Sequence, residues 1–138
     1  MAFKYGSNAT FQADNASGTL TDLSAYTSTF TFSPERETTE LARLGGNAVA
    51  QLAGPITNSF DSEGWYDPTL EALLYVWLSE TTPTARTIEF GPQGSATGAT
   101  KYTAEVYISS FEVEQPADDA GTWSASFVSD GSVTRGTF

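Results

Sequence analysis

The sequence predicts a mainly β fold, an antiparallel β-sandwich or barrel with one flanking α-helix. Three observations predict it. Apolar and polar residues alternate with a period of two through most of the chain, the mark of half-buried antiparallel strands. One segment, residues 67–80, carries the 3.6-residue period of a helix instead. The length, 138 residues, is one domain's worth of chain.

The strands follow in order. Ala9, Phe11 and Ala13 alternate with Thr10, Gln12 and Asp14. Tyr26, Phe30 and Phe32 alternate with Thr27, Thr29 and Thr31, and Ile56 and Phe60 with Thr57, Ser59 and Asp61. Ile88 and Phe90 alternate with Thr87 and Glu89, and Trp123, Ala125 and Phe127 with Thr122, Ser124 and Ser126. The longest candidate runs from Tyr102 to Gln115. Tyr102, Ala104, Val106 and Ile108 share one face, and the parity flips after Ser109-Ser110 to Phe111 and Val113. A one-residue slip turns every side chain over, so a bulge or bend is expected there. Asp130-Gly131 is a two-residue hairpin signal that would join the Trp123 strand to a last strand, 132–137.

The helix opens on Asp67 as N-cap and Pro68 at the first helical position, and Thr82-Pro83 ends it. Leu70, Leu73, Leu74 and Trp77 form its core-facing stripe with Leu78, widened by Ala72 and Val76. Glu71, Tyr75 and Ser79 are left for solvent. Two readings stand for so apolar a helix: it caps the open end of the sandwich, or it also touches a neighbouring subunit. Two stretches read as loops: residues 34–54, with mixed charges and Gly45-Gly46, and the turn-rich 91–98. A loop of ~20 residues in a small domain is unusual unless it acts outside that domain.

Composition excludes much chemistry. The chain has no cysteine, which removes disulfides and zinc-thiolate sites, and no histidine, which removes Ser-His-Asp triads and the commonest general base. Six Lys+Arg stand against 17 Asp+Glu, a net charge of −11, so the basic footprint of a DNA-binding protein is missing. No apolar run is long enough to span a bilayer, and Met1 to Gly6 does not read as a signal peptide, so synthesis and folding in a cytoplasm are expected.

Candidate sites weaken on inspection. Residues 91–98 lack the Lys-Ser/Thr of a phosphate-binding loop and read as a hairpin tip. Glu112 with Glu114, and Asp61 with Glu63, have the i, i+2 spacing of one strand face, which suits a solvated surface better than a glycosidase pair. Asp118, Asp119 and Asp130 lack the loop of a calcium site. Trp77 and Trp123 sit on apolar faces; Trp65, beside Gly64 and Tyr66, is the one candidate for an exposed sugar-stacking surface. No enzymatic site and no cofactor are expected.

The order of features resembles the major tail tube protein of long, non-contractile-tailed bacteriophages, over nearly the whole chain. The resemblance rests on Tyr5-Gly6-Ser7-Asn8-Ala9, Leu20-Thr21-Asp22-Leu23-Ser24, Arg36-Glu37-Thr38-Thr39 and Leu44-Gly45-Gly46. It continues through Gly64-Trp65-Tyr66-Asp67, Glu89-Phe90-Gly91-Pro92-Gln93-Gly94 and Gln115-Pro116-Ala117-Asp118-Asp119-Ala120, and ends with Asp130-Gly131 and Gly136-Thr137-Phe138. It implies a structural virion protein related to the ring protein of the type VI secretion tube. Six copies would close a ring, rings would stack into a tube, and strands of each copy would join in one barrel around a lumen that the genome crosses. The implied partners are the chain itself, other tail proteins such as the tape measure and tail terminator, and double-stranded DNA in transit without specific binding; no membrane is involved. The implied location is the virion, after assembly in the host bacterial cytoplasm.

On that reading residues 1–138 form one tail-tube domain with no C-terminal immunoglobulin-like domain. The stretch 34–54 becomes an inter-ring loop, with Glu35, Arg36, Glu37, Thr38, Thr39, Glu40, Leu41, Arg43 and Leu44 as contact residues. The lumen-facing candidates are Thr27, Thr29, Thr31, Thr57, Ser59 and Asp61. The alternatives are another tail ring component, such as a tail-completion protein, and a carbohydrate-binding β-sandwich using Trp65.

Overall fold

The computed structural model describes residues 6–42, 44–46 and 48–138. Eight strands and one helix succeed each other as β1 (Thr10–Asp14), β2 (Leu20–Asp22), β3 (Thr27–Leu41), β4 (Ala50–Trp65), α1 (Pro68–Leu78), β5 (Arg86–Gly91), β6 (Thr100–Glu114), β7 (Thr122–Ser129) and β8 (Thr134–Thr137). All ladders are antiparallel, in the order β2-β1-β5-β6-β7-β4-β3, with β8 on β6.

This sheet folds over on itself. The Phe30 ring of β3 lies 4.5 Å from Phe11 of β1 and 4.4 Å from Phe90 of β5, although β3 shares a ladder with neither strand. Two layers therefore face each other around one core, as the alternation predicts. Phe11, Phe60, Ile88, Val106, Trp123 and Phe127 fill it, each at most 2 % exposed. Full burial of such a side chain stabilises by roughly 1.5–3 kcal/mol.

The helix occupies Pro68–Leu78, slightly inside the expected 67–80, with the Asp67 carboxylate accepting from the Thr69 amide at 2.8 Å. It packs on β6. Leu70, Leu74 and Trp77 are buried and Leu73 is half-buried. Trp77 stacks on Phe127 with ring centroids 5.6 Å apart, donates Nε1–H to the Thr84 carbonyl at 3.0 Å, and carries the Arg86 guanidinium over its ring. Two expectations need correction. Ala72 and Val76 do not widen the buried stripe; they are exposed, with Tyr75 and Leu78, because a helix laid on one sheet buries one narrow face. Glu71 is half-buried rather than in open solvent, and the Tyr66 hydroxyl donates to its carboxylate.

The parity flip in β6 is a bulge. Ile108 pairs with Phe127 but Ser110 pairs with Ser126, and the extra Ser109 donates its hydroxyl to the Ser126 carbonyl at 3.0 Å. Asp130-Gly131, however, does not close a hairpin. The strands it connects both pair with β6, β7 along residues 106–114 and β8 along 100–103, so the chain continues in one direction through a bend. The Asp130 amide donates to the Glu105 carbonyl at 2.7 Å and holds that bend on β6.

The largest correction concerns residues 34–54. Residues 34–41 and 50–54 are strand, not loop: β3 and β4 run on as one hairpin to the Leu41–Ala50 pair. At its middle, Arg36 pairs with Ile56 and Thr38 with Ala53, so Gly54-Pro55 stands opposite Glu37 alone. That bulge accommodates a proline, which cannot donate to a ladder. The Arg36 guanidinium donates to the Gly54 carbonyl at 2.8 Å and braces it.

Candidate functional site

Four strand segments, β3, β4, β7 and the second half of β6, lie side by side and form a panel. Residues paired across ladders share a face, so the register lays out the panel's outer surface in rows. One row reads Thr31, Asp61, Ser126, Ser110, and the next Thr29, Glu63, Ser124, Glu112. Trp65, Thr122 and Glu114 make a third. The rows contain hydroxyls, carboxylates and one exposed tryptophan, and no Lys or Arg. The Ser126 hydroxyl donates to Asp61 at 2.7 Å, tying two strands together through their outer side chains. The reverse of the panel carries Phe30, Phe32, Phe60, Ala125 and Phe127 and closes the core.

Thr29, Thr31, Thr57 and Asp61 are exposed on the outer side and Ser59 is half-buried there, its hydroxyl donating to the Ser33 carbonyl at 3.3 Å. Thr27 is a correction. It pairs with Gly64, whose neighbours in parity, Ser62 and Phe60, point to the core, and its hydroxyl donates to the Leu23 carbonyl at 2.8 Å. The ladder shifts between Thr27 and Thr29, and the extra residue, Ser28, takes the outward place. Glu63, Glu112, Ser110, Ser124 and Ser126 belong to the same surface but were not assigned to it from the sequence. Their alternation was visible; the adjacency of β4 to β7, which unites them, was not.

Both lateral edges of the panel are unpaired among the described residues. β3 has β4 on one side and no strand on the other, and residues 108–114 of β6 have β7 on one side and no strand on the other. Such edges present free N–H and C=O groups to any further strand.

Beyond the panel, the β3–β4 hairpin continues as an arm. Glu35, Arg36, Glu37, Thr38, Thr39, Glu40, Leu41 and Leu44 are all exposed, and Arg43 lies outside the described residues, as does Tyr5. Leu41, Leu44, Val49, Leu52 and Ile56 give the arm an uncovered apolar content. Two ionisable groups elsewhere serve the fold. Burial alone opposes ionisation of Glu80, but hydrogen bonds from Arg86 and Thr84 outweigh it and hold the carboxyl below the ordinary carboxylate range. The hydrogen bond to Glu71, with a smaller contribution from burial, raises the Tyr66 hydroxyl above its ordinary value. Among the described residues no three carboxylates are placed to hold a metal ion, and no helix is long and apolar enough to cross a membrane.

A β-sandwich with one packed helix, a bare acidic panel and a projecting arm is the layout of a structural protein. Residues 10–135 match the family model described as phage tail tube protein, and the chain belongs to that family, as a non-enzymatic structural component of a virion tail. No curated protein matches the chain in sequence. Among solved structures it is similar to the tail of an empty gene transfer agent particle refined with C6 symmetry, at TM-score 0.78 and 15% identity, covering 98% of this chain and 100% of that one. It is similar to the SPP1 tail tube at TM-score 0.75 and 13% identity, covering 98% and 80%. A type six secretion system protein aligns at TM-score 0.57 and 13% identity, covering 91% and 82%.

Proposed function

We propose that copies of this chain join edge to edge through their panels, six to a ring, and that the rings stack into a tube whose lumen is lined by the panels' outer faces. The observation that carries this reading is the panel itself: among the described residues two unpaired edges flank a surface of hydroxyls and carboxylates without a single base. Ring closure pairs edges that would otherwise invite uncontrolled aggregation. The chemistry suits passage of double-stranded DNA, which binds Lys and Arg patches through counterion release. Hydroxyls hydrate the wall without gripping phosphates. Screening confines direct repulsion to about 8 Å at physiological salt, so the wall is non-stick rather than propulsive.

The arm on this reading reaches the adjacent ring, where its exposed leucines find cover. Further tail proteins, such as a tape measure inside the tube and a terminator at its end, are the expected partners. Family membership sets aside the carbohydrate-binding alternative despite the 57 % exposure of Trp65. Negative-stain electron microscopy of concentrated pure protein tests the assignment. Long hollow tubes are expected; isolated rings that never elongate would instead indicate a completion-type ring.

A further inference from the structure

Among the described residues two positive charges lack a carboxylate partner, and the two converge. Among the described residues Arg86 pairs with Glu80 and Lys101 with Glu89, whereas Arg36 and Arg135 have no carboxylate partner. Both line one open cleft of about 600 Å³, where the root of the arm meets the bend between β7 and β8. Phe32, Ile56, Tyr102 and Val133 supply its apolar wall.

The opposite end of the panel has the opposite character. β4 runs from Ile56 at the cleft to Trp65, a distance of roughly 30 Å at the rise of an extended strand. At that far end Trp65 pairs with Thr122 and Thr122 with Glu114, and the segment 115–121 joins β6 to β7. Asp118 and Asp119 are exposed on it and have no cationic partner among the described residues. Each chain therefore has a basic socket at one end of the panel and an acidic loop at the other.

On the reading that the chain stacks into a tube, we infer that the cleft lined by Arg36 and Arg135 receives the Asp118–Asp119 loop of a second copy in the next ring. Charge complementarity selects the occupant: a second copy carries the acidic loop at the end that a head-to-tail stack brings to the cleft. Paired charges of this kind set register and direction more than raw affinity. The polarity makes the contact heterologous, and a heterologous contact that does not close propagates as a filament. The clasp thus gives the tube one direction.

Two variants test it. Arg36→Glu with Arg135→Glu makes the cleft acidic, and Asp118→Arg with Asp119→Arg makes the loop basic. Each alone faces like charge with like and is expected to raise the concentration needed for tube formation by about tenfold or more at low salt. Each is expected to remain folded by circular dichroism, since all four side chains are on the surface and the Arg36 bond to the Gly54 carbonyl, lost in the first variant, is an exposed one in the arm rather than the core. Mixed in equal amounts, the two variants should form tubes again, because each offers the other a complementary partner. If the wild type makes no tubes, the tube reading itself fails. If the wild type polymerises and either variant alone does so equally well, or if the mixture does not restore assembly, the clasp is wrong.

Discussion

Tyr26 shows how tightly single residues determine this fold. Its carbonyl accepts from the Trp123 indole at 2.9 Å, and a β-carbon built on Gly64 would stand 1.9 Å from the same oxygen. Strand β4 thus comes close to the backbone before β3 only because position 64 has no side chain. The same crossing contains the Ser28 bulge that turns Thr27 inward. An alternation of hydroxyls from Thr27 to Thr31 cannot reveal it, because Ser and Thr are equally at home on a wet face and in a local hydrogen bond to the backbone. The bulge in β6 was legible because apolar residues changed parity there. At this scale the Glu80–Arg86 pair carries a prediction. Hydrogen bonding holds the folded carboxyl below its ordinary value of 4.5 despite the opposing effect of burial, so the pair adds stability above that pH and loses it as pH falls through the lower folded value. Glu80→Gln is expected to lower the melting temperature at pH 7, and the difference from wild type should shrink towards pH 3. A difference that stayed constant, or grew on acidification, would show that the charged pair does not stabilise the fold.

Among the elements, the helix and six strands could be read because each buries one face. The arm could not. Every described residue from Ser33 to Leu41 is exposed, so no burial alternation marks it as a strand. Pro34 sits on an edge strand and Pro55 in a bulge, two places that tolerate proline while suggesting a loop in sequence. The bend at Asp130-Gly131 misled in the opposite sense: a turn dipeptide says that the chain changes course, not which strand it pairs with next. Among the described residues the arm pairs only within itself in the monomer, which predicts its behaviour. Replacing Thr38–Ala53 by an Asn-Gly turn should leave a soluble monomer whose unfolding free energy changes little, on the order of the 0.5 kcal/mol of a single surface substitution. Tube formation should be lost. Chemical denaturation together with microscopy measures both; normal tubes from the shortened chain would remove the arm from assembly.

For the whole molecule, charge placement matters more than charge total. A net charge of −11 was evident from composition, but not that the panel's outer face would gather Asp61, Glu63, Glu112 and Glu114 with no base among them, while Arg36 and Arg135 went to the far cleft. Strand order alone decides that, and strand order follows from how the sheet folds over. Asp61 stands in the middle rows of the panel, exposed, bonded to the Ser126 hydroxyl. Asp61→Lys loses that bond, and the serine hydroxyl turns to water at little expense, so the variant is expected to fold and assemble. In a closed ring every copy places one lysine at the same height, and the non-stick wall acquires a belt of cations. Such a belt binds phosphates with an affinity that falls steeply with salt. Tails built from Asp61→Lys are therefore expected to slow or stall genome release at low salt and to recover partly as salt is raised. Release kinetics from fully assembled variant tails are the measurement. Wild-type rates in low salt would mean that DNA does not pass this face, and the lumen would have to be assigned to another surface of the sandwich.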